Sequence, residues 1–229
     1  MANVMTNPTN FAPARISMYC PAMRYSSDVN YNGMTRVSFG SPAVASATNI
    51  LSAQSINTAV TVDLTSSTIN AVLDAPYGRA LQVVASGAAT STVQINGYDY
   101  LGQPMTETLT LNGATPVLGK KAFKYLRNAV CGLTAGTTIN LGTQNIFGLP
   151  YKTIKVDHET SDQALVAAGT LAAPVLTDPQ TATTGDPRGT YTPTTTPDGS
   201  KVLTCDCMMQ NDVNTSNRGG LHGIAQFSS

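Results

Sequence analysis

The run Val93-Gln94-Ile95-Asn96-Gly97-Tyr98-Asp99-Tyr100-Leu101-Gly102-Gln103-Pro104-Met105-Thr106-Glu107-Thr108-Leu109-Thr110-Leu111 reads as two β-strands joined by a turn. Val93 and Ile95 alternate with polar neighbours, the period of two that marks a half-buried strand. On the return, Thr106, Thr108 and Thr110 share one face while Met105, Leu109 and Leu111 share the other, because successive strand side chains point to opposite sides. Glu107 falls on the apolar face, so it is expected near a sheet edge or beside a buried partner. Leu101-Gly102-Gln103-Pro104 carries turn chemistry, and Asn96-Gly97 and Asn112-Gly113 are read as further turn signals.

The same grammar extends in both directions. Val60, Val62 and Leu64 alternate with Thr61 and Asp63, and Leu81, Val83 and Ala85 repeat the pattern. Lys120 to Val130 reads as one further strand carrying Phe123, Tyr125 and Val130; Ile139, Leu141 and the stretch from Tyr151 to Val156 follow. Residues 56–157 are therefore expected to form the main β domain. Residues 158–184 read as a loop-rich connection, in which Ala164 to Ala168 has room for one turn of helix before Gly169 and Pro174 stop it. Residues 185–229 are expected to complete the domain, with turns at Gly185-Asp186-Pro187-Arg188-Gly189 and Pro197-Asp198-Gly199 and strands at Lys201 to Met209 and Leu221 to Phe227. Residues 1–55 read as an extended arm, since Pro8, Pro13, Pro21 and Pro42 break regular patterns. Its aromatics are nonetheless too many for a disordered tail, so the arm is expected to bury them on a neighbour or on its own domain. Short strands with almost no helical periodicity give an all-β fold, a β-sandwich or small β-barrel with a long extended N-terminal arm.

Composition narrows the function. Charged residues make up 11% of the 229, against about 25% in an average soluble domain, and hydroxyl and amide side chains, Thr above all, take their surface places. Such a surface suits a protein that works packed against others. Lys+Arg and Asp+Glu both number 13, so no basic surface for nucleic acid is expected. The start Met1-Ala2-Asn3-Val4 has no basic leader pattern, and no run approaches the roughly 18 apolar residues that span a bilayer. The expectation is synthesis in a cytoplasm, with no membrane partner.

The chain offers little to catalysis. It lacks a phosphate-binding glycine loop and a Gly-x-Ser-x-Gly elbow. His158 lies in the acidic Asp157-His158-Glu159 and His222 among glycines near the C-terminus; both are read as surface histidines rather than bases. Asp99 and Glu107 flank the hairpin turn and are a formal carboxylate pair of the kind glycosidases use, but the chain has no Trp to line a sugar cleft. Cys20, Cys131, Cys205 and Cys207 have no framework spacing. Cys205 and Cys207, two apart, face the same side of a strand and are read as small apolar side chains rather than zinc ligands. No catalytic residue, metal or cofactor is expected. The basic cluster Lys120, Lys121 and Lys124 has two readings, a solubilising edge strand or a patch that docks on an acidic rim of a partner. With Phe11, Arg15, Tyr19 and Tyr25 of the arm, these lysines are the expected interface residues.

The stretch from Val93 to Glu107, with its aromatic-Asp-aromatic turn and Gly-x-Pro-Met-x-Glu return, resembles a pattern of tailed-bacteriophage virion structural proteins of the capsid cement or decoration type. It continues into Leu111-Asn112-Gly113-Ala114-Thr115 and Gly119-Lys120-Lys121-Ala122-Phe123-Lys124 as those proteins do, and the turns at 185–190 and 197–200 are similar to theirs. The resemblance covers roughly residues 80–130 and 183–225 and leaves out the arm. It implies a non-enzymatic virion protein on the outer capsid surface, with the major capsid protein and neighbouring copies of itself, as a trimer or dimer, for partners. Alternatives within the same strand grammar are a tail, neck or fibre-base component and a glycan-binding host-recognition module.

Overall fold

The computed structural model of the protein describes residues 34–209. It is nearly all β. Along the described residues run β1 (Met34–Gly40), β2 (Leu51–Ser55), β3 (Val60–Asp63), the short helix α1 (Ser67–Ala71), β4 (Arg79–Ala85), β5 (Thr92–Tyr98), β6 (Pro104–Thr110) and β7 (Val117–Phe123). There follow β8 (Tyr125–Cys131), β9 (Thr138–Gly148), β10 (Thr153–Ser161), β11 (Ala164–Val166), β12 (Thr170–Ala172), β13 (Thr190–Thr192) and β14 (Leu203–Met209).

These strands form three antiparallel sheets that curl, in part as a half-barrel. The first has the order β1-β14-β10-β11; the second β12-β13-β9-β4-β7, with β2 also on β9; the third β3-β8-β5-β6. The expected alternation is present: Val93 and Ile95 of β5 pair with Leu109 and Glu107 of β6. Their turn is held by Asp99, whose carboxylate Oδ1 accepts the Leu101 and Gln103 amides at 2.9 and 2.8 Å. Gly102 sits there at φ +77°, a conformation that costs glycine little.

Two apolar cores lie between the sheets. The larger gathers Leu81 and Val83 from β4, Val93 and Ile95 from β5, Leu109 from β6 and Ile139 and Leu141 from β9. The smaller packs Val37 and Phe39 of β1 against Phe147, Tyr191, Leu203, Cys205 and Cys207. Burying each such large side chain is worth about 1.5–3 kcal/mol. The long β9 contributes to both cores and so joins the second sheet to its neighbours on either side. Arg79, buried on β4, ties in the segment ahead of β2: Nη1 meets Asp74 Oδ1 at 3.0 Å and Nη2 donates to Ala43 O at 2.7 Å.

Several expectations change. Residues 34–55 do not extend as an arm, since β1 pairs with β14 and β2 with β9, and Val37 and Phe39 are core residues. The remainder of the expected arm, residues 1–33, and the expected strand from Leu221 to Phe227 lie outside the described residues. Lys120 to Val130 is two strands in two sheets. Phe123 and Leu126 both enter the larger core, and residues three apart cannot share one face of a single strand, so the chain turns a corner at Lys124. Ala164 starts a strand, not a helical turn. Ser161 pairs with Ala164 across Asp162-Gln163, whose φ values of 48° and 66° are those of a two-residue hairpin. Asn96-Gly97 lies inside β5 rather than in a turn. A Cβ at Gly97 would stand 2.2 Å from Tyr125 O, so glycine there lets β8 approach closely.

Candidate functional site

The lysine cluster is not a patch. Lys121 shares its face with Phe123, as period two dictates, and is fully buried. Its Nζ donates to the carbonyls of Thr106 (2.7 Å), Pro179 (2.7 Å) and Thr181 (2.8 Å). Lys124 donates from Nζ to Leu73 O and Ala75 O, both at 3.0 Å. Only Lys120 of the three is exposed. An ammonium that has exchanged water for three carbonyls is a tie inside the molecule, and the docking patch expected from these residues reduces to Lys120. Phe11, Arg15, Tyr19 and Tyr25 lie outside the described residues.

The carboxylates have comparable work. Asp99 is ion-paired with Arg188, both almost wholly buried, and the Arg188 guanidinium lies 4.9 Å over the Tyr100 ring. Asp186 accepts the Arg188 amide at 3.0 Å and the Ala122 amide at 3.1 Å. Glu107 accepts the Lys120 amide at 2.5 Å through Oε1, while its Oε2 has no hydrogen-bond partner among the described residues. Asp99 and Glu107, which flank one turn, thus serve different contacts. Together with Lys121 these groups close two sheet edges. Thr106 and Thr108 of β6 donate to Pro179 O and Ala182 O, so residues 179–182 cover the edge of the third sheet. The outward amides of β7 go to Glu107 and Asp186, which cover the edge of the second.

Burial pushes the Glu107 carboxyl up to about 7, and pushes Lys121 down to about 8. The folded protein therefore holds the Glu107 proton more tightly than the unfolded chain, and stability is expected to fall as pH rises from about 4.5 towards 7. Glu107→Gln should remove that fall, and urea titrations of both proteins across this range measure it. Lys121 acts in the opposite sense, releasing its proton more readily when folded, so its contribution rises with pH from about 8 towards 10.5.

The other expected chemistry is placed as follows. His158 is exposed on β10, opposite Asp206 of β14. Cys205 and Cys207 do face one side; both are buried in the smaller core as free thiols with Sγ atoms 3.1 Å apart. That neighbouring thiol, together with burial, pushes Cys205 well above the ordinary thiol range. His222 and Cys20 are outside the described residues.

The outer face of the third sheet is the surface best suited to a partner. One cross-strand row runs Thr61, Val130, Gln94 and Thr108, and the next Asp63, Asn128, Asn96 and Thr106. Asn96 binds the second row together: its Nδ2 donates to Asn128 Oδ1 at 2.8 Å and its Oδ1 accepts from Thr106 Oγ1 at 2.9 Å and Gln94 Nε2 at 3.1 Å. Tyr125 and Val130 of β8 are exposed to 50% and 40%. A shallow groove of about 370 Å³ crosses this face between Asn96, Tyr98, Pro104, Arg127 and Gln180. The amides and hydroxyls of Gln94, Asn96, Asn128 and Thr106, already held in position, can be covered by a protein without stripping water from full charges, as long as Asp63 and Arg127 stay at the rim. The alternation of Thr106, Thr108 and Thr110 marks one face of this hairpin as polar, but the expected interface residues lie elsewhere, and the amide ladder does not show in the sequence because its members come from three strands. No family model matches the chain, and no curated protein or solved structure matches it either.

Proposed function

We propose that this chain is a structural component of a tailed-bacteriophage particle that binds the outside of the capsid and stabilises the shell, a cement or decoration protein. The observation that carries the reading is the outer face of the third sheet, where the Gln94, Asn96, Asn128 and Thr106 side chains are hydrogen-bonded to one another beside exposed Tyr125 and Val130, with Asp63 and Arg127 as the charges at its margin. The sequence resemblance, which includes the β5–β6 hairpin carrying half of that plane, supports it. An expanded icosahedral shell is thin and holds packaged DNA under pressure. A β domain lying across subunit boundaries adds contact area there, and repetition over the lattice makes modest contacts collectively strong. The interior ties described above fit the same role, since a clamp must keep its shape when pulled.

The deciding experiment counts this chain against the major capsid protein in purified particles. Hundreds of copies, in near-integer ratio to the capsid subunit, are expected. A dozen or fewer would overturn the cement role and move the protein to the neck, tail or fibre base.

A further inference from the structure

Strand β8 brings more side chains to the outer face of the third sheet than a period of two allows. Tyr125, Arg127, Asn128 and Val130 lie on the outer side, while Leu126, Ala129 and Cys131 enter the larger core. The reason is a bulge. Asn96 pairs with Asn128 but Gly97 pairs with Leu126, so Arg127 is an extra residue opposite β5. A bulge bends its strand and re-aims a side chain. Here it sets the exposed Arg127 on the rim of the groove of about 370 Å³ that Asn96, Tyr98, Pro104, Asn128 and Gln180 also line.

The groove offers donors to an acceptor. Asn96 Nδ2 occupies Asn128 Oδ1 at 2.8 Å, which leaves Asn128 Nδ2 as a donor next along the strand from the Arg127 guanidinium. No carboxylate among the described residues pairs with Arg127; Asp63, which stands across from Asn128, turns its Oδ1 to the Thr65 amide at 2.9 Å. A guanidinium is a planar fork of donors that matches a carboxylate or a phosphate. A phosphate backbone needs several cations, and Arg127 is the one cation in the four strands of this sheet. The exposed Asp63 would repel a polyanion, whereas a lone carboxylate on a neutral segment suits both charges. Tyr125, two residues along and 50% exposed, gives that segment an aromatic surface to pack on. Tyr and Arg are among the residue types that most often carry binding energy at protein interfaces.

We infer that this groove takes a single Asp or Glu side chain from an otherwise neutral loop of the major capsid protein, with Arg127 and Asn128 Nδ2 donating to its carboxylate. The inference rests on the shell reading of the same face and adds the chemistry of the contact.

The probe is shells of the major capsid protein assembled without this chain, and the measurement is bound against free chain at about 50 mM salt, where rim charges are least screened. Arg127→Gln, which removes the charge, should bind about threefold more weakly, as loss of one rim ion pair requires. Arg127→Glu, which sets a like charge against the carboxylate, should bind about thirtyfold more weakly. Raising the salt to about 0.5 M should shrink the Arg127→Gln difference. Lys155→Gln makes an equal charge loss at an exposed side chain of β10 in the first sheet and should bind like the parent. Parent-like binding by Arg127→Glu overturns the inference and leaves the shell reading standing, as does a loss at Lys155→Gln equal to that at Arg127→Gln. A parent chain that leaves the shells bare overturns the shell reading, and this inference with it.

Discussion

Asp99→Ala is expected to lower the unfolding free energy by roughly 3–5 kcal/mol, the cost of leaving one member of a buried ion pair without the other. Arg188 is 2% exposed at its side chain and Asp99 1%, so water cannot take the place of the lost carboxylate. The guanidinium is poorly provided otherwise: Nε and Nη1 have no hydrogen-bond partner among the described residues, and the Tyr100 ring is its other close neighbour. The same substitution removes the acceptor for the Leu101 and Gln103 amides, so the β5–β6 turn loosens as well. For a chain of this size each kcal/mol moves the melting midpoint by about 2–4 °C, and a fall of about 10 °C or more by calorimetry is the expected result. Arg188→Met in the Asp99→Ala background should restore part of it, because the orphaned charge is then gone. A single-mutant loss below about 1 kcal/mol would show that the pair does not hold the turn to the 186–188 segment.

Lys121→Met should also be costly, at roughly 1.5–3 kcal/mol, since it keeps the stem's packing and deletes three charge-assisted hydrogen bonds to the carbonyls of Thr106, Pro179 and Thr181. The location of the damage is the sharper expectation. Pro179 O and Thr181 O lose the Lys121 ammonium and keep only neutral donors from Thr106 and Thr184, so residues 179–182 are held less tightly, and the Thr106 and Thr108 amides that donate to this segment should lose hydrogen-exchange protection. The Val83 and Leu141 amides, in the interior of the second sheet, should keep theirs. Uniform loss across all sheets would refute a local clasp. The variant should also become more prone to self-association, because β6 is then an uncovered edge.

Both effects come from groups whose role was only half legible in the chain. Glu107 on an apolar face called for an edge or a partner and has both, at the β6 edge against the Lys120 amide. Parity alone puts Lys121 on the face of Phe123, and reading the three lysines as an exposed edge or docking patch passes over that. What the lysine donates to is set by residues 179–181, some sixty positions away, and nothing local announces that. The two turns marked by resemblance, at Tyr98-Asp99-Tyr100 and Asp186-Pro187-Arg188, were read separately. They meet through the Asp99–Arg188 pair, 89 residues apart. Their joint presence was the available signal.

Local rules were enough for the all-β class, for the faces of Val93, Ile95, Leu109, Cys205 and Cys207, and for the turn at Gly102, because period and backbone preference act over a few residues. They misread the places where distant contacts override them. Lys124 bends one apparent strand into two sheets because Phe123 and Leu126 share a core. Asn96-Gly97 stays in a strand because β8 presses on Gly97. Residues 34–40 leave the arm for a sheet because β14, some 170 positions further on, offers them an edge. Which edges are closed, which charges are buried and which side chains join into the ladder on the outer face of the third sheet are decided by contacts between segments far apart in the chain, whose free energy is realised only when the three sheets are assembled.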